Sequence, residues 1–368
     1  MEDITVGFIG FGLIGGSIAK AIKEMQPGIT MIGYDHHIDT PNRNLKEALQ
    51  DGVLSKITHS LEDDFGVCDL IILCGPVLRN IAYLKQLKPI IKPSSIITDV
   101  GSVKGIMHDA AEELGMSKHF IGGHPMAGSE KTGYANAHPR LLENAYYILT
   151  PTKTTSENQI IFMKEFVSMT HAIPIILNHR THDDITAAIS HVPHVIAASL
   201  VNMVGSEDYD GTMKLLAAGG FKDITRISSS SPEMWQSICL SNQDSILRFI
   251  NIFKKQLEEF EGSIKEAEKD SLIEHFQNAK DYRDSVPNSS HGAISCVYEI
   301  YLDILDETGA IATVATILAS NAISIKNIGI IHNREFEEGV LRIELYEQEA
   351  MVHAIALLKQ YHYTIYER

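Results

Sequence analysis

Three polar clusters interrupt an otherwise apolar pattern in the first two thirds of the chain. One is Gly122-Gly-His124-Pro-Met-Ala-Gly128-Ser-Glu130-Lys-Thr132-Gly133. Another is Asp99-Val-Gly101-Ser102-Val-Lys104, and the third pairs Ser190-His191-Val-Pro-His194 with Asp223-Ile-Thr-Arg226, with Trp235 nearby. An enzyme that removes hydride from an alcohol carbon needs a base for the hydroxyl proton. Histidine suits that task because its pKa lies near neutrality. His124 is the leading candidate: flanking glycines let the backbone lie close to a ligand, and Glu130 is spaced to orient the ring or a water. The competing reading is a turn histidine with no role. Arg226 stands between Ile224 and Ile227, where a planar guanidinium suits bidentate carboxylate recognition; its alternative is an ion pair between domains. His194 reads as cleft lining and His191 as helix packing. A metal site formed by these two with His179 or His182 is the weaker reading. No Cys lies nearby and the adjacent acids read as capping residues, so no metal is assigned. Trp235, the single tryptophan, reads by default as a core anchor.

A cofactor signal precedes these clusters. Gly10-Phe-Gly12-Leu13-Ile14-Gly15-Gly16-Ser17 follows an apolar run directly and opens a helical pattern. The first glycine permits a tight turn, the second lets the backbone approach a pyrophosphate, and the third lets helix and strand pack closely. The pyrophosphate then sits on a positive helix N-terminus. Asp35 ends the next apolar run, about twenty residues on, where a carboxylate bonds the ribose hydroxyls of NAD. His36 and His37 follow it rather than Arg, so a 2′-phosphate has no evident partner. A flavodoxin-like sheet with an unused glycine turn is the alternative.

The elements that must carry these residues read as follows. Apolar runs recur at 4–9, 30–34, 70–74, 95–99, 119–122, 145–149 and 173–177, with helical patterns such as 17–25 and 103–114 between them. Runs apolar throughout suit strands buried on both faces of a parallel sheet. Residues 1–178 therefore read as an α/β, Rossmann-like doubly wound domain. Ligands bind outside the carboxyl ends of such strands, which puts both polar clusters on the cofactor side. Residues 179–288 read as an all-helical domain. Thr181-His182-Asp183-Asp184 matches a capping box, a long apolar helix runs to Val204, and Pro193 predicts a kink or an offset start in it. Long apolar helices without a sheet suit packing against a second subunit. A linker over 285–292 leads to 294–368, whose β-α-β-β-α-β pattern predicts a ferredoxin-like unit.

Composition bounds the function classes. The 368 residues suit two or three domains. Lys and Arg number 31 against 47 Asp and Glu, a net charge of −16, which argues against nucleic acid and anionic membranes as partners. No continuous apolar stretch approaches the ~18 residues of a membrane span. The N-terminal Met-Glu-Asp-Ile-Thr-Val has no basic n-region. Cys68, Cys74, Cys239 and Cys296 lack zinc-ligand or CxxC spacing, and thiols so scattered suit a reducing cytoplasm. The expectation is a cytoplasmic protein.

Taken together, 10–17, 99–104, 122–133, 190–194 and Gly219-Gly-Phe-Lys-Asp-Ile-Thr-Arg-Ile227 resemble the prephenate dehydrogenase family of tyrosine biosynthesis over roughly residues 1–285. The last 75 or so residues look like an ACT domain, an amino-acid-binding regulatory module, in the order of the Bacillus-type enzyme. The resemblance implies NAD-dependent conversion of prephenate to 4-hydroxyphenylpyruvate with loss of carbon dioxide. It implies that His124 bonds the 4-hydroxyl and assists its deprotonation, that Ser102 bonds the same region and His124, and that Arg226 binds a substrate carboxylate. Glu130, His194 and Thr132 would position or gate substrate. Gly10, Gly12, Leu13, Ile14, Gly15, Asp35, Pro76 and Gly101 would bind NAD. Asp306, Gly309, Ala310, Asn327 and Ile328 would hold an effector, tyrosine by the logic of feedback, and a homodimer is expected. A purely structural dimerisation module is the alternative for the ACT unit. Arogenate or broad cyclohexadienyl dehydrogenase is the rival enzyme, and a non-catalytic NAD- and amino-acid-sensing regulator is the rival of another class.

Overall fold

A computed structural model describes residues 4–35, 42–128, 131–286, 298–304, 307–331 and 339–366. By internal contact the chain divides into Met1–Gly292 and Ala293–Arg368. Glu130, Asp306, His36 and His37 lie outside the described residues.

The first unit opens with β1 (Thr5–Ile9), α1 (Leu13–Met25), β2 (Thr30–Tyr34), α2 (Arg43–Gln50), β3 (Lys56–Ile57) and α3 (Leu61–Asp64). It continues through β4 (Leu70–Leu73), α4 (Val77–Leu87), β5 (Ile96–Asp99) and α5 (Gly105–Glu113). The strands form one parallel sheet in the order β3-β2-β1-β4-β5, with Val6 beside Met31 on one side and Leu70 on the other. Alternate residues of β4 feed opposite cores. Leu70 and Ile72 pack with Phe8 and with Ile18 and Ile22 of α1, while Ile71 and Leu73 pack with Leu84 and Leu87 of α4. Both faces are covered, so the run is apolar at every position. The short β3 was too brief and polar to be visible in the sequence.

The parallel pattern does not continue. β6 (Ile121–Pro125), β7 (Tyr146–Pro151) and β8 (Ile173–Ile176) form a second sheet, with α6 (Glu157–Ser168) between the last two. β6 and β7 are antiparallel and β7 and β8 parallel. A single bridge between Ile97 and Phe120 joins this sheet to β5. Among the described residues between β6 and β7, the helical turns are the short 3₁₀ segments Tyr134–Asn136 and Pro139–Leu142. A parallel crossover needs a longer, usually helical, connection, and without one the chain turns back on itself. His124 consequently lies within β6, opposite Ile148, rather than in the loop beyond the strand.

The helical part begins with α7 (His179–Thr186), a π-helical turn at Ala187–His191 and α8 (Val192–Glu207). The expected capping box at Thr181 is displaced. Asn178 caps the helix by accepting from Arg180 N at 2.9 Å, and Thr181 and Asp184 lie inside it. Pro193 does offset the helix as expected: lacking an N–H, it follows the wide π turn directly. Counted through that turn, His179–Glu207 contains an 18-residue window of mean hydropathy 1.4, long and apolar enough to span a bilayer. It is not a continuous apolar run, because histidines and small polar residues interrupt it. Only 28% of that window is buried within this chain. The remaining helices are α9 (Thr212–Leu216), α10 (Gly219–Thr225), α11 (Pro232–Ser241), α12 (Gln243–Lys265) and α13 (Lys269–Ser285).

The second unit is β9 (Tyr298–Ile304), α14 (Ala310–Ser320), β10 (Ile325–Ile331), β11 (Gly339–Leu345), α15 (Gln348–Gln360) and β12 (Ile365–Tyr366). Its antiparallel sheet has the order β10-β11-β9-β12. Ile300, Leu302, Leu341 and Ile343 form its core with Val314, Leu318 and Leu358 from the two helices.

The seam between the two sheets of the first unit is glycine-dependent. A Cβ on Gly123 would lie 2.5 Å from the carbonyl oxygen of Asp99, a backbone atom that cannot swing away. Gly123→Ala is expected to lower unfolding stability by about 1–3 kcal/mol. Gly262→Ala, in exposed α12 with nothing within 4 Å, should raise it by about 0.5–1 kcal/mol. Denaturant titration of both variants checks the pair.

Candidate active site

Gly10 leaves β1 with φ +78°, a left-handed value that favours glycine. A Cβ there would lie 3.2 Å from the backbone of Cys74 and Gly75. Gly12 begins α1 with no side-chain cap and no atom within 4 Å of its Cβ position, so the first N–H groups of α1 face open space. Gly15 would bring a Cβ within 2.9 Å of Cys74 Sγ, as close helix packing requires. A cavity of about 210 Å³ opens beside the turn, lined by Gly10, Gly12, Asp35, Pro76 and also Asn44 and Arg79. Leu13 and Ile14 form the first turn of α1, and Gly101 lies past β5 with its N–H donated to Asp99 Oδ2 at 3.1 Å. The glycine turn, the open helix N-terminus and a carboxylate at the end of β2 together fit a dinucleotide. Asn44 and Arg79 escaped the sequence reading because helical polar residues carry no motif. Arg79 puts a cation in the same cavity as Asp35, which the argument from His36 and His37 did not consider.

Among the described residues His182 orients His124; Glu130, the expected partner, lies outside them. His124 Nδ1 lies 2.8 Å from His182 Nε2, and His182 Nδ1 lies 2.8 Å from Asp183 Oδ1. Asp183 also accepts from Lys104 N at 2.8 Å and Gly105 N at 2.7 Å, so its carboxylate caps α5 from a distance. An ionised carboxylate only accepts, which puts the His182 proton on Nδ1. When His182 carries a proton on Nδ1 alone, its Nε2 accepts from His124 Nδ1 and the lone pair of His124 is left on Nε2. That is the tautomer a general base needs. Burial, followed by His182, Lys104 and His191, pushes the His124 pKa well below its ordinary value. Burial pulls Asp183 upward, but the His182 hydrogen bond and the two backbone N–H groups outweigh it and hold the pKa below normal. From sequence, His182 stands only as a weak metal-ligand candidate and Asp183 as one of the acids of the capping box that begins at Thr181. An adjacent His-Asp pair just after a strand was the available signal.

Asp99 and Lys104 brace this arrangement. Both are fully buried and ion-paired. Lys104 Nζ donates to Gly123 O at 2.7 Å, and Gly123 N donates to Asp99 Oδ1 at 3.2 Å. The residue before His124 is thus held on both backbone groups. Ser102 lies between them, half-buried, and makes no hydrogen bond to His124 in this structure.

The helical wall supplies the third cluster. The His194 ring stacks on Trp235 at 3.5 Å between centroids, and Trp235 is half-buried rather than a core anchor. Asn242 Nδ2 donates to Asp183 O at 2.8 Å and reaches His191 Nδ1 at 3.2 Å, tying α12 to the histidine chain. His179 stacks on His108 at 4.3 Å. Arg226 begins a 3₁₀ turn packed on α8; it is exposed and makes no ion pair among the described residues. Thr132 is exposed, and its carbonyl accepts from Asn136 Nδ2 at 2.7 Å. In the second unit, Gly309 and Ala310 line a cavity of about 450 Å³ with Glu307, Thr313, Tyr361 and His362. Asn327 and Ile328 lie on β10 away from that lining, where Asn327 Nδ2 donates to Glu344 Oε1 at 3.4 Å.

Two expectations follow. Asp183→Asn can present its amide to His182 and reverse the tautomers, so kcat should fall by roughly 10²–10⁴ with KM little changed; steady-state kinetics reads the split. Several buried histidines also link stability to pH. Burial lowers His108 to about 3 and His191 to about 4. In the unfolded chain these groups take up protons near the usual histidine value of about 6.5, while the folded chain resists until lower pH. Their contribution is therefore present above pH ~6.5 and is lost as pH falls toward 4 and below. Denaturant midpoints across that range should decline on acidification, and His108→Gln should flatten the slope.

Two family models match the chain: prephenate dehydrogenase, nucleotide-binding domain, over residues 18–175, and prephenate dehydrogenase, dimerization domain, over 178–278. The prephenate dehydrogenase of Bacillus subtilis (strain 168) is 40% identical over 346 residues, covering 93% of this chain and 92% of the relative. That of Lactococcus lactis subsp. cremoris is 35% identical over 367 residues, 98% of each, so the similarity extends across the C-terminal unit. Prephenate dehydrogenase from A. aeolicus, solved with hydroxyphenyl propionate and NAD+, is 30% identical with a TM-score of 0.72, covering 78% of this chain and 99% of that one. With a glycine turn suited to a dinucleotide and an oriented histidine at the strand end, the chain belongs to the prephenate dehydrogenase family.

Proposed function

We propose that this protein oxidises prephenate to 4-hydroxyphenylpyruvate and carbon dioxide with NAD, as a step toward tyrosine. The observation that carries the reading is the chain of contacts from His124 Nδ1 through the His182 ring to the Asp183 carboxylate. NAD, when bound, accepts the hydride. His124 Nε2 draws the 4-hydroxyl proton as hydride leaves the carbon that bears it. The electrons of the ring carbon–carboxylate bond close the aromatic ring as carbon dioxide departs, and the proton returns to the phenolic oxygen. Arg226 binds a substrate carboxylate, Ser102 faces the reacting hydroxyl, and Glu130, Thr132 and His194 position substrate. Gly10, Gly12, Leu13, Ile14, Gly15, Asp35, Pro76 and Gly101 receive the cofactor.

Three further features complete the proposal. The exposed apolar side chains Ile185, Ile189, Met203, Leu215, Leu216 and Ile224 are covered by a second copy of the chain, which makes a homodimer. This agrees with the dimerization-domain match over the same region. The C-terminal unit acts as an ACT domain, with tyrosine as feedback effector in the cavity at Gly309. Gly309 enters α14 with φ +93° and offers no side-chain cap, and a helix N-terminus favours a carboxylate. The location is the cytoplasm, in keeping with the free thiols of Cys68, Cys74 and Cys239.

NADH formation tests the reaction. Prephenate is expected to be turned over, and tyrosine to inhibit. Absence of turnover on prephenate with turnover on arogenate would assign the rival substrate. His124→Asn should lower kcat by about 10²–10⁴ while substrate still binds. Arg226→Gln should mainly raise KM, by roughly 10- to 100-fold, the worth of a charge-assisted hydrogen bond of about 1.5–3 kcal/mol. An unchanged KM removes Arg226 from the site.

A further inference from the structure

Tyr134 is gripped by the glycine turn, α1 and α2, which form one side of the cofactor cavity. Its backbone N–H donates to Asn44 Oδ1 at 3.0 Å, in the first turn of α2. Its hydroxyl donates to Asp51 Oδ2 at 2.9 Å, at the other end of α2. Its ring lies 5.6 Å from that of Phe11, the residue between the first two glycines of the turn. The ring also packs on Gly16 of α1, where a Cβ would come within 2.7 Å of it. Lys20 Nζ sits 4.2 Å over the ring centroid and donates to Ala137 O at 2.9 Å. Ser17 Oγ accepts from His138 N at 3.0 Å.

Asn44 has a second face. It lines the cofactor cavity with Phe11 and Asp35. Its N–H is capped by Asn42 Oδ1 at 3.0 Å, while Asn42 Nδ2 donates to Asp35 Oδ2 at 2.5 Å. One unbroken path of hydrogen bonds therefore leads from the ribose carboxylate, through the start of α2, to the backbone of Tyr134. On the far side of Tyr134 stand Gly133, with φ +83°, and Thr132. A Cβ on Gly133 would lie 3.3 Å from Asn44 Oδ1, so this joint closes tightly around glycine.

We infer that Asn44 and Tyr134 form a joint through which the occupied cofactor cavity sets the position of Thr132, so that cofactor and substrate favour each other's binding. Asn44 is a positioning residue in this scheme. A ribose that engages Asp35 fixes Asn42 and the first turn of α2. A nicotinamide dinucleotide seated on α1 fixes Gly16 and Phe11. Both constraints converge on Tyr134. Linkage requires the effect to be reciprocal: substrate must tighten the cofactor by the same factor. The inference deepens the proposed function and rests on it.

The test measures that factor by calorimetry on the full-length protein. Hydroxyphenyl propionate is titrated with and without saturating NAD, in the wild type and in Asn44→Leu and Asn44→Asp. The wild type should bind the probe at least about fivefold tighter with NAD, the lower end of ordinary coupling. Asn44→Leu, which lacks the acceptor, should bring the ratio close to one. Asn44→Asp, which keeps an acceptor for Tyr134 N, should retain most of it. A merely structural role for Asn44 would weaken both ligands without changing the ratio. A full ratio in Asn44→Leu, or no ratio in the wild type, overturns the joint. If Asn44→Leu does not fold, Tyr134→Phe removes the bond to Asp51; an unchanged ratio there overturns the joint as well. A wild type that binds no probe even with NAD contradicts the functional reading and the joint together, which separates that failure from the others.

Discussion

Asp183 is buried at the start of the helical region, and a buried carboxylate is tolerated only when donors meet its oxygens. Three do: the ring of His182 and the first backbone N–H groups at α5. Because an ionised carboxylate cannot donate, that one group decides the protonation pattern of the two histidines that follow it. It also fastens the helical region to the nucleotide-binding part, since α5 belongs to the first sheet and His182 to α7. A Cβ on Gly105 would approach Asp183 Oδ2 within 2.8 Å, so even this seam depends on glycine.

The same economy holds around Asp99 and Lys104. Neither charge would survive burial alone. Burial lowers the Lys104 pKa even though Asp99 pulls it upward, so the pair is a compromise between desolvation and attraction. Its structural product is the fixed backbone of Gly123, one residue before His124. His124 is held from both sides: through its ring by His182, and through its chain neighbour by the ion pair.

Much of this was legible from sequence, for particular reasons. The first parallel sheet announced itself because strands covered on both faces are apolar throughout, and the glycine turn because each glycine answers a separate steric demand. His124 stood out among glycines, of which Gly123 is packed against the backbone of Asp99. The antiparallel return of β7 was hidden, because an apolar run carries no direction. His182 and Asp183 were hidden because capping and catalysis draw on the same residue types at a helix start. Asn44 was hidden because its significance lies in what it touches across the fold. Arg226 lies exposed between Ile224 and Ile227, so the flanking isoleucines do not enclose it within a single chain.

The central claim is that the chain through Asp183 leaves the His124 lone pair on Nε2. Nitrogen NMR of the selectively labelled ring at neutral pH reads the tautomer directly. The account predicts a protonated Nδ1 and an unprotonated Nε2 in the wild type. A proton on Nε2, or an imidazolium at neutral pH, would contradict it.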